Sequence, residues 1–347
     1  MRKLILIILL LAGLSVPARA EELIAPTVPG SAQELMPPDQ ETFGEGLLYV
    51  LKSAASKFQP EIMASCRVCL SVMAVMMLTS VVGAIPGSTK SVTELAGTIA
   101  VACLLLENAN TLVGDAVTTV TSLSEYGKLL LPVMATALAS QGGITGSAAI
   151  YTGTAIFNAV LCSLISKLLV PMVYIFLAFS IGCSAIGEDI LKRLRDFLKW
   201  LVSWCLKTVL YVFTGYITIT GIVSGTTDQM ALKAAKLTIS GAVPVVGGIL
   251  SDASEAVLVS AGLVKNAVGV YGLIAIAAIA MGPFLRIGVQ YLLLKLTAAV
   301  CGVFGNKKTT ELVGDFSSAM GILLAMTGAV CLILLISMVC FMKGVGI

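Results

Sequence analysis

Apolar runs separated by short polar breaks recur along this chain, near 62–86, 95–113, 147–166, 168–187, 200–223, 267–285, 287–305 and 317–341, with two shorter ones near 128–142 and 237–251. A helix needs about 20 apolar residues to cross a hydrocarbon layer about 30 Å thick. The eight long runs therefore predict eight crossings, and the two short ones raise the number to ten. The fold expected is all-α: a polytopic transmembrane helical bundle of 8–10 spans embedded in a lipid bilayer. The run at 95–113 is the weakest of the long ones, because Glu107, Asn108 and Asn110 interrupt it.

Each short run contains Pro-Val followed by paired glycines: Pro132-Val133 with Gly142-Gly143, and Pro244-Val245 with Gly247-Gly248. Proline removes a helical hydrogen bond and glycine tolerates angles other residues resist, so both segments are expected to be broken. Broken backbone at membrane depth is satisfied only by protein or water. Pro132, Gly142, Gly143, Pro244, Gly247 and Gly248 are thus candidate pore or packing positions. Pro132 precedes Pro171 by 39 residues and Pro244 precedes Pro283 by 39, while Asp196-Phe197 and Asp315-Phe316 each follow a basic linker. These landmarks suggest two related halves, 128–223 and 237–341.

The front of the chain reads differently. Residues 1–20 have the parts of a secretory signal: Arg2 and Lys3, an apolar core from Leu4 to Leu14, and Ala18-Arg19-Ala20 before Glu21. An uncleaved first anchor is the competing reading. Residues 21–60 form an extracytoplasmic segment whose first half, with Pro26, Pro29, Pro37 and Pro38, is expected to be extended or disordered. Its second half, through Leu47, Leu48, Leu51, Ala54, Ala55 and Phe58, predicts one amphipathic helix before the membrane domain at 61–347.

With 58% hydrophobic and 12% charged residues, the chain falls outside the range of soluble domains. Signal cleavage removes Arg2, Lys3 and Arg19 from 22 basic residues and leaves 19 against 19 acidic ones, a balance that argues for no nucleic-acid partner. Lys192, Arg193, Arg195 and Lys199 form the densest basic cluster, and Lys307-Lys308 the next. Both are expected on the cytoplasmic side, which requires an even number of crossings between them and leaves the N-terminus after cleavage extracytoplasmic. The linker 188–200 and the residue after it place Ile190, Leu191, Leu194, Phe197, Leu198 and Leu201 on one face and the charges on the other. Such a helix lies in the headgroups or docks a cytoplasmic partner through Lys192, Arg193, Arg195 and Lys199.

Glu107, Asn158, Lys207 and Lys295 sit deepest in apolar context and are functional candidates, although a structural reading is favoured for each: snorkelling for Lys207 and Lys295, a span end for Glu107, and a bond to a neighbouring helix for Asn158. Asn158 and Lys207 join the candidate pore or packing set. Catalysis has little support: the chain has no histidine, no Gly-rich phosphate loop with its lysine and no GxSxG, and no cofactor is expected. Leu-Val-Gly-Asp occurs twice, at 112–115 and 312–315, which makes an aspartyl pair conceivable. Most of the nine cysteines fall in apolar runs and read as small hydrophobes; Cys66 and Cys69 form a lone CxxC that is poor material for a zinc site. Gly262, Gly269 and Gly272 suit close helix packing.

Three blocks, Ser122 to Ala137 (SLSEYGKLLLPVMATA), Gly225 to Gly272, and Pro283 to Gly302 (PFLRIGVQYLLLKLTAAVCG), carry a resemblance to the stage III sporulation protein AE family. The resemblance implies a mother-cell protein in the membrane around the engulfed forespore, in a secretion-like or feeding channel required for late forespore gene expression. It implies as partners other stage III sporulation A-operon-type membrane proteins, an ATPase and a forespore-side channel partner. It supplies no catalytic residues. A self-sufficient permease for a small solute, built around Pro/Gly-broken helices, is the alternative reading.

Overall fold

The computed structural model describes residues 26–38, 43–57, 59–85, 90–141, 143–186, 189–242, 247–303 and 307–343, with side-chain surroundings left out for 221–265. All regular structure among them is helical. The order is α1 (Gly30–Gln33), α2 (Phe43–Lys57), α3 (Gln59–Gly83), α4 (Lys90–Ala139), α5 (Ile144–Leu164), a π-helical turn (Ile165–Leu169), α6 (Val170–Ile186), α7 (Asp189–Ala242), α8 (Gly247–Val303) and α9 (Lys307–Lys343). The signal assigned to residues 1–20 lies outside the described residues.

Among the described residues, six helical stretches are long and apolar enough to cross a membrane. The all-α membrane bundle is therefore present, but runs that the sequence separates are joined. The runs at 95–113 and 128–142 share α4, and those at 267–285 and 287–305 share α8. The runs at 147–166 and 168–187 are linked through the π turn, where the Val170 N–H reaches the Ile165 carbonyl, five residues back. Pro171 has no N–H to offer the preceding turn, and the wider turn takes up that misfit without reversing the chain. The long helices α4, α7, α8 and α9 have 50, 54, 57 and 37 residues. At 1.5 Å per residue they measure roughly 55 to 85 Å, well beyond one hydrocarbon thickness.

The first of the two expected breaks moves. Pro132 lies inside α4, which continues to Ala139, so it releases one carbonyl without ending the helix. The turn comes later, where Gly143 caps α5 and its N–H reaches the Leu138 carbonyl. The run 237–251 is no separate element: α7 ends at Ala242 and α8 begins at Gly247. Pro244 lies outside the described residues.

Helix α9 forms the centre of the bundle and packs on α4, α5, α6, α7 and α8. Leu312, Val313, Phe316, Leu323, Val330, Ile333, Met338 and Phe341 are all buried along it. Helix α8 returns antiparallel to α9, with Tyr291 against Gly321 and Gly272 against Met338. Helix α4 runs parallel to α9: Thr98 meets Thr309, and Gly127 meets Leu334. Gly269 and Gly272 permit this closeness, since a Cβ at Gly272 would fall 2.7 Å from Leu130 and 2.8 Å from Met338. Large apolar side chains such as Leu292, Leu296 and Ile219 point outward, as a surface facing lipid requires.

Two expectations for the front of the chain are corrected. Residues 26–38 are not extended throughout: past Pro29, itself in an extended conformation, they turn through α1, and the segment buries Val28, Ala32 and Leu35. Helix α2 forms as expected, but its buried face is Gly46, Val50 and Ala54, while Leu48 and Leu51 are exposed. The reason is steric. Gly46 lets the α2 backbone lie directly on Ile274 of α8, where a larger residue would be held off.

Candidate functional site

An arginine on an apolar helix needs a carboxylate, because an isolated buried charge costs several kcal/mol. Arg286, in the middle of the α8 apolar stretch, has two. Its Nη1 lies 2.7 Å from Asp115 Oδ2 on α4, and its Nε lies 3.5 Å from Glu61 Oε2 in the first turn of α3. Neither carboxylate oxygen is aligned as a hydrogen-bond acceptor, so both keep unused accepting capacity. Three helices distant in sequence thus meet at one guanidinium, and two acids face a single base. On the same face of α8, one turn further on, Gln290 is fully buried with neither amide atom partnered.

Beside this triad is a cavity of about 220 Å³. Asp115, Thr118, Thr119 and Ser122 of α4 form one wall, and Ile279, Gly282, Pro283 and Arg286 of α8 another. Thr119 is already committed, its hydroxyl donating to the Asp115 carbonyl at 2.7 Å. Pro283 offers no N–H to the carbonyl of Ile279, so that oxygen is released at the cavity wall. Pro29, Ala32 and Leu35 of the N-terminal segment complete the lining. That segment is tied to α2 by an ion pair between Glu34 and Lys57, and the Lys57 hydrogen bond holds the Glu34 carboxyl below its usual range. Carboxylate, guanidinium and hydroxyls on the wall of a small, mainly apolar cavity suit binding of a small species with one polar or charged end; the lining holds no histidine or cysteine.

The residues singled out from sequence fall in several places. Asn158 on α5 is buried, donates to Ser124 Oγ of α4 at 3.2 Å and accepts from Cys162 at 3.7 Å, which makes it a link between helices. Lys207 lines a different cavity, between α7, α8 and α9. Pro132 faces outward from α4, Gly143 caps α5, and Gly247 and Gly248 open α8; Gly142 lies outside the described residues. Glu107 is exposed. The two Leu-Val-Gly-Asp acids do not form a pair, since Asp115 meets Arg286 and Asp315 meets Arg195. The register of α4 on α9 separates them by seven to eleven residues of height, roughly 10 to 16 Å.

Three of the four basic residues of the amphipathic linker are engaged within the chain. Arg195 donates to Asp315 Oδ2 of α9 at 2.7 Å and to Asp196 Oδ1, Lys199 donates to Ser318 at 3.0 Å, and Lys192 lies 3.8 Å from Glu311. Arg193 remains exposed. These contacts put the 192–199 cluster at the same end of the bundle as the start of α9.

Arg286 and Glu61 are absent from the sequence candidates. A lone arginine in an apolar run is as good a signal as the lysines that were chosen, but Glu61 precedes its run by one residue and reads as a boundary charge. No solved structure matches this chain. A curated relative, the stage III sporulation protein AE of Bacillus subtilis (strain 168), is 24% identical over 203 residues, covering 58% of this chain. The match spans about half, 51%, of that relative's length. The family model described as stage III sporulation protein AE matches residues 40–344.

Proposed function

We propose that this protein, which belongs to the stage III sporulation protein AE family, acts as a membrane subunit of a secretion-like channel joining mother cell and forespore, and that it works only with partners. The family match across nearly the whole membrane bundle is the observation that carries this reading. Its partners are other stage III sporulation membrane proteins, an ATPase and a forespore-side component. Its place is the mother-cell membrane around the forespore, and its role is not enzymatic. The Asp115, Arg286 and Glu61 triad, with its cavity under the N-terminal segment, is the working part of the subunit.

A permease reading draws support from the same cavity. A small chamber beside Pro283, where α8 gives up a helical hydrogen bond without breaking, is the kind of place at which transporters hold a solute, and two halves at 128–223 and 237–341, if related, would fit that architecture. The subunit reading stands ahead because the family match spans the bundle and the chamber beside Pro283 is small and lined on one side by the chain's own N-terminal segment.

Deleting the gene from its spore-forming host tests the proposal. Engulfment should finish while late forespore gene expression fails, and Arg286→Gln should not restore it. Normal spore yield from the deletion strain contradicts the reading.

A further inference from the structure

A second cavity, about 470 Å³, opens between α7, α8 and α9, and its polar lining carries three lysines and no carboxylate. Lys199 and Lys207 come from α7 and Lys295 from α8. Two of them donate to neutral oxygens: Lys199 to Ser318, and Lys295 to the Tyr291 hydroxyl at 3.2 Å while lying 5.5 Å from that ring. Lys207 has no hydrogen bond or ion pair among the described residues. Asp315, just outside the lining, acts electrostatically on Lys199, but Lys207 and Lys295 pair with no carboxylate among the described residues, so an anion entering the cavity meets positive charge that the chain leaves uncompensated. Ser203 and Ser317 add hydroxyls to the same lining.

The rest of the wall is apolar, formed by Val202, Leu206, Leu210, Ala298, Ile322 and Ala325. A soluble anion has no use for such a surface, whereas an acyl chain does. On another face of α7, at the height of Lys199, Phe197, Trp200 and Trp204 are exposed and in ring contact at 5.9 and 6.2 Å. They are joined by no other tryptophan, since the chain has only two. Exposed tryptophans on a membrane helix sit at headgroup level, which places the lysine end of the cavity near the height of lipid phosphates. We infer that this cavity binds an anionic phospholipid, its phosphate held by Lys199, Lys207 and Lys295 and its acyl chains lying against Leu206, Leu210 and Ile322. Basic pockets between membrane helices bind anionic headgroups on this principle.

The two tryptophans supply the readout. The full chain is reconstituted in mixed bilayers in which either phosphatidylglycerol or phosphatidylcholine carries bromine on its acyl chains, and tryptophan quenching is compared. Brominated phosphatidylglycerol should quench more strongly at equal mole fraction. Each of Lys207→Gln and Lys295→Gln should lower the preference about fivefold, while quenching by brominated phosphatidylcholine stays unchanged and shows the variants folded. Equal quenching by the two lipids in the native chain, or an undiminished preference in both variants, overturns the assignment. Displacement of phosphatidylglycerol by millimolar inorganic phosphate also overturns it, in favour of a site for a soluble phosphate.

Discussion

Arg195 on α7 donates to Asp315 on α9 across 120 residues of chain, at 2.7 Å, with both side chains largely buried. The pair fixes the start of α7 against the start of α9. Lys199 and Ser318 extend the contact by one turn. An amphipathic linker that looks designed for an outside partner is therefore also an internal clamp.

Removing one member of a buried ion pair leaves the other charge stranded, at a cost of about 3–5 kcal/mol. Arg195→Leu deprives Asp315 of its main partner and should lower thermal stability in detergent by an amount of that order, whereas Asp315→Asn leaves Arg195 paired with Asp196 and should cost less. Replacing both with leucine should recover much of it. A double variant as unstable as the sum of the singles would show that the two residues act separately.

Close packing at Gly272 gives a second test. Leucine there must displace Leu130 and Met338, and overpacking of this kind costs about 1–3 kcal/mol. At Gly288 an added methyl meets only Leu324, at 4.0 Å, so Gly288→Ala should be neutral or slightly stabilising through helix propensity. Thermal unfolding in detergent distinguishes the two.

The shared end of α7 and α9 predicts topology. Single cysteines at the exposed Arg193 and Lys307, in a background without the native nine, should both be shielded from an impermeant thiol reagent in intact cells and both react once the membrane is permeabilised. Labelling of Lys307 alone would place the two on opposite sides.

The tie between Glu34 and Lys57 responds to acid. Because Lys57 holds the Glu34 carboxyl below its ordinary value, the tie is fully present above the ordinary carboxylate pKa and is lost as pH falls through the lowered one. Proteolysis of the N-terminal segment in detergent should accelerate in that acidic range, and Glu34→Gln should cleave faster already at neutral pH. Equal rates for native and variant chains at neutral pH would show that the segment is held by its buried Val28, Ala32 and Leu35 alone.

How much of this the sequence shows differs by level. Apolar runs reveal that the chain is a membrane bundle, because hydrocarbon demands it of every segment it contains. They do not reveal which runs join, since a helix can carry Asn110 or Pro132 on an accommodating face and continue. Asn158 is recognisable as polar in an apolar run, yet its role as a link depends on Ser124 being opposite. The charged triad is illegible because its parts, Glu61, Asp115 and Arg286, come together only through the packing of α3, α4 and α8. For α2 the larger side chains mislead: Gly46 decides the buried face, and periodicity of leucines gives it no weight.

The claim that this subunit works only with partners meets its most direct test in liposomes. The purified full chain, reconstituted alone, is expected to leave entrapped ions and small solutes where they are, with fluxes equal to those of empty vesicles. Movement of a solute by the protein alone, abolished by Arg286→Gln, would contradict that claim and establish the permease in its place.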